Sequence, residues 1–230
     1  MKKLFAFLAV ASLSTASWAG QTRQDVTKRL QRAGEVINEI MKVPEKGIPS
    51  EVLGGAKCIA VVPNMIKGGL GIGGEHGRGV VSCRTENGWS APTFFTISGV
   101  SLGFQIGGAG VDLVLTIMND HGMRSLLSSK FQVGGDASAA AGPVGRHAEA
   151  DTDIKAGAEI LTYSRAKGAF AGVALKGAYV RQDDDSTKAL YGKDINYENI
   201  LAGKVRTPAP AQSFLAAIRQ AKAEVTARKH

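Results

Sequence analysis

Apolar residues between Asp25 and Met41 fall at Val26, Leu30, Ala33, Ile37, Ile40 and Met41, a spacing of three and four that puts them on one side of a helix. Lys28, Arg32 and Glu39 occupy the rest of its circumference, so the segment predicts an amphipathic helix packed by its stripe on a core. A second short helix is predicted after Pro49, whose ring presets φ, with Gly54 and Gly55 ending it. From Lys57 to about Arg181 the period changes. Apolar segments such as CIAVV, GVVSC, TFFTIS, VDLVLTI, FQVGG, FAGVAL and GAYVR are bordered by glycine and recur every 8 to 12 residues or so, the signature of an antiparallel barrel or sandwich. Within that region NDHGMRSLLSS stands apart, because Asn119 or Asp120 can cap a short helix. The run Asp183, Asp184, Asp185 reads as a solvated turn that reverses the chain, and ALYGKDINYENILAG as helical turns. A final helix follows Pro208 and Pro210, with Phe214, Ile218, Ala221 and Val225 on one face.

The fold class this pattern predicts is α+β. A single domain over 20–230 is built on a strongly curved, Gly-rich antiparallel β-sheet, barrel- or sandwich-like, with flanking N- and C-terminal α-helices. Residues 24–56 are expected to be helical, 57–181 β-rich and 186–229 helical. Composition sharpens the picture: 29 of 230 residues are glycine against only 7 prolines, about twice the ~7% usual for glycine. Glycine within strands indicates bulges, curvature or close backbone approach.

Residues 1–19 have Lys2 and Lys3, an apolar stretch from Leu4 to Leu13, and small residues at Ser17 and Ala19, the three parts of a cleavable secretory signal. Export to a periplasm or cell surface is therefore expected. Loss of two lysines from the formal charge of +8 leaves the mature chain at +6. Cys58 and Cys83 are the two cysteines of the chain; in an oxidising compartment they are candidates for one disulfide, with two buried thiols as the alternative.

Motifs that resemble catalytic sites lack their context. Gly69 to Gly74 matches GxGxxG, but another β-like segment follows where a dinucleotide fold needs a helix. Gly99 to Gly103 matches GxSxG, which makes a secreted serine hydrolase using Ser101 with His121 or His147 an alternative reading. Ser164 to Lys167 fits SxxK without its partner motifs. The histidines show no metal-ligand spacing, so neither a metal nor a cofactor is expected, and the leading expectation is a protein that is not an enzyme. Basic residues are more informative. Lys67, Arg78, Lys130, Arg146 and Arg165 lie in or beside Gly-rich turns, where open backbone amides and cationic tips suit phosphate. Met65, Ile66 and Leu70, in an expected turn beside Lys67, are candidates for contact with acyl chains. Nucleic acid is not an expected partner, because the cations are not interleaved with aromatic residues. An envelope protein or antigen that binds protein rather than lipid is the third possibility.

The blocks KCIAVVPNMIKGGLGIGGEHGRGVVSCR, GWSAPTFFTISGVSLGFQIGG, VDLVLTIMND, LLSSKFQVGGDASAAAGPVGR and YSRAKGAFAGVALKGAYV resemble the SYLF domain family of lipid-binding proteins across essentially the whole mature chain. The resemblance implies binding of membrane phospholipids, with phosphoinositides and actin as partners of eukaryotic members, and an exported lipid-binding role for bacterial ones. It also implies that the N-terminal helix can help engage membranes. Phosphoinositides and actin are not expected partners of an exported chain.

Overall fold

The computed structural model describes residues 20–42, 47–103, 108–143, 157–166, 169–172, 175 and 177–227. The 1–19 leader read from the sequence lies outside them.

Helix α1 (Arg23–Met41) starts at a capping box in which the Thr22 hydroxyl accepts from the Asp25 amide while the Asp25 carboxylate accepts from the Thr22 amide. Those bonds from the Thr22 side chain and backbone hold the Asp25 carboxyl below its ordinary pKa. The stripe expected from the sequence is buried from Val26 to Met41, joined by Val36. Gly34 marks where α1 crosses the last helix, α6 (Gln212–Ala227). A Cβ at Gly34 would lie 3.2 Å from the Ser213 carbonyl oxygen, a tight contact that would push the two backbones apart by a few tenths of an ångström. Helix α2 (Ser50–Gly55) follows Pro49, and α3 (Asp120–Leu127) is capped by the Asn119 side chain, which accepts from the Gly122 amide at 2.9 Å.

The sheet is organised by β1 (Cys58–Thr85), a 28-residue strand that would extend about 90 Å if straight. Instead its ends meet. The Arg84 amide donates to the Lys57 carbonyl at 2.7 Å, and Cys58 and Cys83 are joined by a disulfide with their Cα atoms 3.9 Å apart. The first half of β1 pairs with β4 (Gly108–Ile117) from Cys58↔Ile117 to Gly68↔Gly108. The second half pairs with β3 (Thr93–Gly103) from Val81↔Thr93 to Gly71↔Gly103. Strand β1 thus doubles back near Leu70 and serves as two adjoining arms. The GxGxxG stretch is the reversal between those arms.

The remaining strands are β2 (Gly88–Trp89), β5 (Lys130–Gln132), β6 (Ala139–Ala141), β7 (Ile160–Ala166), β8 (Ala169–Gly172) and β9 (Tyr179–Gln182). Among the described residues the order is β5-β9-β3-β1-β4-β7-β6, with β2 beside β1 and β8 beside β7. The result is the α+β fold expected, a strongly curled half-barrel with helices at both ends of the chain. One pairing differs: β6 and β7 are parallel, so the sheet is mixed. Parallel neighbours need a long connection, and residues 142–159 supply it.

One face of the sheet, carrying Val61, Val80, Phe94, Val114 and Tyr163, is covered by α1, and α6 packs on α1 and α2 in turn. The other, carrying Val62, Met65, Val81, Phe95, Leu113 and Val180, closes over Leu126 of α3 and Phe131 of β5. Gly79 stands directly opposite Phe95, whose ring lies over it: a Cβ on Gly79 would collide with the ring.

The acidic run is not a solvated turn. Asp183 is buried and caps helix α4 (Asp184–Tyr191), its Oδ1 accepting from the Ser186 amide at 3.1 Å and its Oδ2 from the Ser186 hydroxyl at 2.6 Å. Arg29 of α1 reaches the same carboxylate at 3.4 Å, donates to Ser186 Oγ at 3.0 Å and lies over the Phe94 ring. A buried cation on α1 demanded an anion at this place, and Asp183 provides it. Helix α5 (Tyr197–Leu201) completes the C-terminal layer, with the Tyr197 hydroxyl donating to the Phe94 carbonyl.

Candidate functional site

Pairing register places the row next to Val80 and Phe94 outside the helical layer. Arg78 of β1 stands opposite Thr96 of β3, Thr96 opposite Arg181 of β9, and Arg181 opposite Lys130 of β5. Directly paired residues point to one face of a sheet, so three cations share a line across four strands. With neighbouring strands about 4.8 Å apart, that line is about 15 Å wide. Arg78, Arg181 and Lys130 are exposed, and among the described residues none of them forms an ion pair. Lys130 lies over the Tyr179 ring, 4.1 Å from its centre. The next row runs His76, Ser98, Tyr179 and Gln132, and beyond it Val100 stands opposite Gly74.

Electrostatics distinguish this row from the cation beneath it. Burial lowers the pKa of the Arg29 guanidinium, Asp183 counters that effect, and Arg78 adds a repulsive contribution. Arg29 therefore belongs to the helix–sheet packing, while Arg78, next to it, faces solvent.

The tips of the strands lie about 23 Å beyond this row, because the Arg78–Thr96 pair is seven residues from the Gly71–Gly103 pair. The β1 reversal, the end of β3 and the start of β4 lie at one end of the sheet, as the registers Gly71↔Gly103 and Gly68↔Gly108 require. Three large hydrophobic side chains are exposed on the described surface, and they sit toward this end: Ile66 at 59%, Val100 at 69% and Tyr179 at 39%. Isolated exposed apolar residues are ordinary; their gathering beside a cationic row is the informative feature.

The structure separates the residues singled out in the sequence. Arg78 and Lys130 fall in the open row. Lys67 instead makes an ion pair with Glu75 at 3.1 Å, with only 23% of its side chain exposed. Arg165 is held between α1 and the sheet, paired with Glu39 and, at 3.0 Å, with Asp112. Arg146 lies outside the described residues. The expected turn at Pro63–Leu70 is strand, interrupted by a bulge between Val62 and Met65. There Asn64 adopts φ of 50° and its amide donates to Asp112 Oδ1 at 2.9 Å. The bulge turns Met65 into the core, fully buried, and leaves Ile66 outside. Leu70 lies at the reversal of β1. Arg181, Val100 and Tyr179 were not found by sequence reasoning; only the β3–β9 register brings them to Arg78.

The pieces of the hydrolase reading are dispersed. Ser101 pairs with Gly73 near the strand tips, whereas His121 begins α3 beyond the other end of β4, a separation of about 30 Å along the sheet. His121 Nδ1 is 2.7 Å from Glu159, and His147 lies outside the described residues. Among the described residues no group of three or more His, Cys, Asp or Glu side chains is arranged to hold a metal ion, and no helix is long and apolar enough to cross a membrane.

Comparison with known proteins places these features in a lineage. Residues 98–221 match the family model described as "Ysc84: Las17-binding protein actin regulator". The chain is 32% identical over 191 residues to "SH3 domain-containing YSC84-like protein 1" of Rattus norvegicus, an alignment covering 80% of this chain and 56% of the relative. It is 36% identical over 190 residues to "SH3 domain-containing protein PJ696.02" of Schizosaccharomyces pombe, covering 79% and 44%. Identity to "Protein YSC84" of Saccharomyces cerevisiae is 30% over 194 residues, covering 80% and 41%. The chain spans about half the length of the curated relatives it matches.

Proposed function

Starting from the chain's membership of the Ysc84 family of SYLF-domain proteins, we propose that it binds phospholipid surfaces peripherally, through the open end of its sheet, as a non-enzymatic protein exported to a periplasm or cell surface. The observation that carries the reading is the line of Arg78, Arg181 and Lys130 across one exposed face, with no ion pair to any of them among the described residues. Lipid phosphates meet this line, and Ile66, Val100 and Tyr179, on its strand-tip side, enter the acyl boundary. A shallow insertion of this kind combines buried apolar area with attraction to anionic lipid. The actin-regulating role in the family's description belongs to other members; export would put this chain where actin is not its partner.

Vesicle flotation tests the reading. Residues 20–230 are expected to float with vesicles of 30% anionic and 70% zwitterionic phospholipid at low salt. Each basic residue near an anionic surface contributes about 1 kcal/mol, so replacing Arg78, Arg181 and Lys130 together by Gln is expected to weaken binding about 100-fold. Raising the salt should reproduce much of that loss, because the Debye length contracts to ~3 Å at 1 M. Absence of flotation by the unsubstituted protein at low salt overturns the proposal.

A further inference from the structure

A second cationic feature lies beyond the start of β3, about 13 Å along the strand from the Thr96 position of the row just described, and shares no residue with that row. A groove of about 1150 Å³ is walled by the start of α1, the segment after α4 and the segment after α5. Its wall residue Tyr191 donates its hydroxyl to the Pro92 carbonyl at 2.7 Å. Pro92 immediately precedes β3, whose far end at Gly103 is about 35 Å away if the strand is straight. The groove therefore faces away from the strand tips.

Arg23, Lys193, Lys204 and Arg206 line this groove, all exposed, and none of them forms an ion pair among the described residues. Among the described residues Asp194 is the one carboxylate in the wall, and it is engaged by Lys188 at 2.9 Å. Four positive charges thus face one concavity with no ion-pair partner among the described residues. They are held on stiff backbone. Gly192, at φ of 76°, ends α4 with its amide bonded to the Lys188 carbonyl. Gly203, at φ of 78°, turns the chain so that the Lys204 amide meets the Asn199 carbonyl at 3.0 Å. Pro208 restricts the residue before it. A groove whose walls are already ordered loses little conformational freedom when occupied.

We propose that this groove receives an extended acidic segment of a protein partner. Its volume exceeds the ~300–1,000 Å³ usual for small-molecule pockets, and its cations come from three separate chain segments, so a run of spaced carboxylates complements it better than one compact anion. Half-buried Ile195, Val205 and Pro208 add apolar wall for side chains between the carboxylates. A bilayer cannot follow a concave groove, and nucleic acid would want stacking platforms, whereas the Tyr191 ring is half-buried and its hydroxyl bonded to Pro92.

Fluorescence anisotropy of a labelled peptide of six Glu-Val repeats against residues 20–230 tests the proposal at 25 mM and 300 mM NaCl. Saturable binding at low salt is expected, weakened at least tenfold by 300 mM NaCl. Lys193→Glu with Arg206→Glu is expected to weaken it at least tenfold as well, while flotation with vesicles and the melting temperature remain unchanged. No saturable binding by the unsubstituted protein, or equal binding by the double variant, overturns the inference. So does equal competition by an oligonucleotide of the same charge, which would mark a general polyanion site, or full displacement by equimolar pyrophosphate, which would mark a small-anion site. Since the two readouts use separate sets of residues, failure of the groove and failure of the lipid reading are distinguishable.

Discussion

Replacing Asp183 by Ala removes an anion on which two helices depend. Its carboxylate caps α4 through the Ser186 amide and hydroxyl and faces Arg29 of α1 across 3.4 Å, with only 10% and 9% of the two side chains exposed. Losing an N-cap costs about 1 kcal/mol, and stranding one partner of a buried ion pair costs about 3–5 kcal/mol. Both effects act through the same oxygens, so they overlap, and a total of about 3–5 kcal/mol is expected. In a domain of this size each kcal/mol lowers the melting temperature by about 2–4 °C, which gives a fall of about 6–20 °C. Circular dichroism during thermal and urea unfolding measures it. Asp183→Asn keeps a cap while deleting the charge, and is expected to cost about 1 kcal/mol less than Ala. Asp185→Ala, on the exposed side of the same run, should change stability by no more than about 1 kcal/mol. A stability for Asp183→Ala within 1 kcal/mol of the parent would refute the reasoning that Arg29 needs this carboxylate.

Substituting both Cys58 and Cys83 by Ala opens a crosslink of sequence separation 25; chain entropy sets the expected loss at about 3.5 kcal/mol, measured by urea unfolding. Burial pushes the Tyr197 hydroxyl up to about 12 and raises Tyr163 and Tyr191 as well. The folded state thus keeps protons that the unfolded chain releases above about pH 10, so stability is complete below that pH and falls through pH 10–12 by up to ~1.4 kcal/mol per unit for each such tyrosine. Tyrosinate absorbance should show these three titrating with unfolding. Arg165→Gln leaves Asp112 and Glu39 without their shared cation and is expected to lower the melting temperature without changing the vesicle affinity of the folded protein; a selective loss of vesicle binding would instead put Arg165 in the lipid-binding face.

Local pattern carried much of this architecture. The stripe from Val26 to Met41 specified α1 because helical periodicity is written in consecutive residues, and Asn119 announced the cap of α3 because capping is a contact within one turn. Glycine-bordered apolar segments gave a curved sheet, and the blocks around them gave the family. The helical turns of ALYGKDINYENILAG were equally legible.

What tertiary structure alone decided are relations between residues far apart in the chain. No local feature tells that β1 turns back on itself so that Cys58 meets Cys83, or that β6 and β7 run parallel. Lys67 and Arg165 look as available as Arg78 in the sequence, since solvation of a cation depends on whether a carboxylate from another element reaches it: Glu75 and Asp112 do so for the first two. Asp183 reads as one of three solvated acids until α1 brings Arg29 against it. Strand register, set by the packing of the whole sheet, placed Arg181 in line with Arg78 and Lys130. Sequence determined which groups the chain possesses and how each segment folds; the closing of the sheet determined which charges cancel and which remain for a partner.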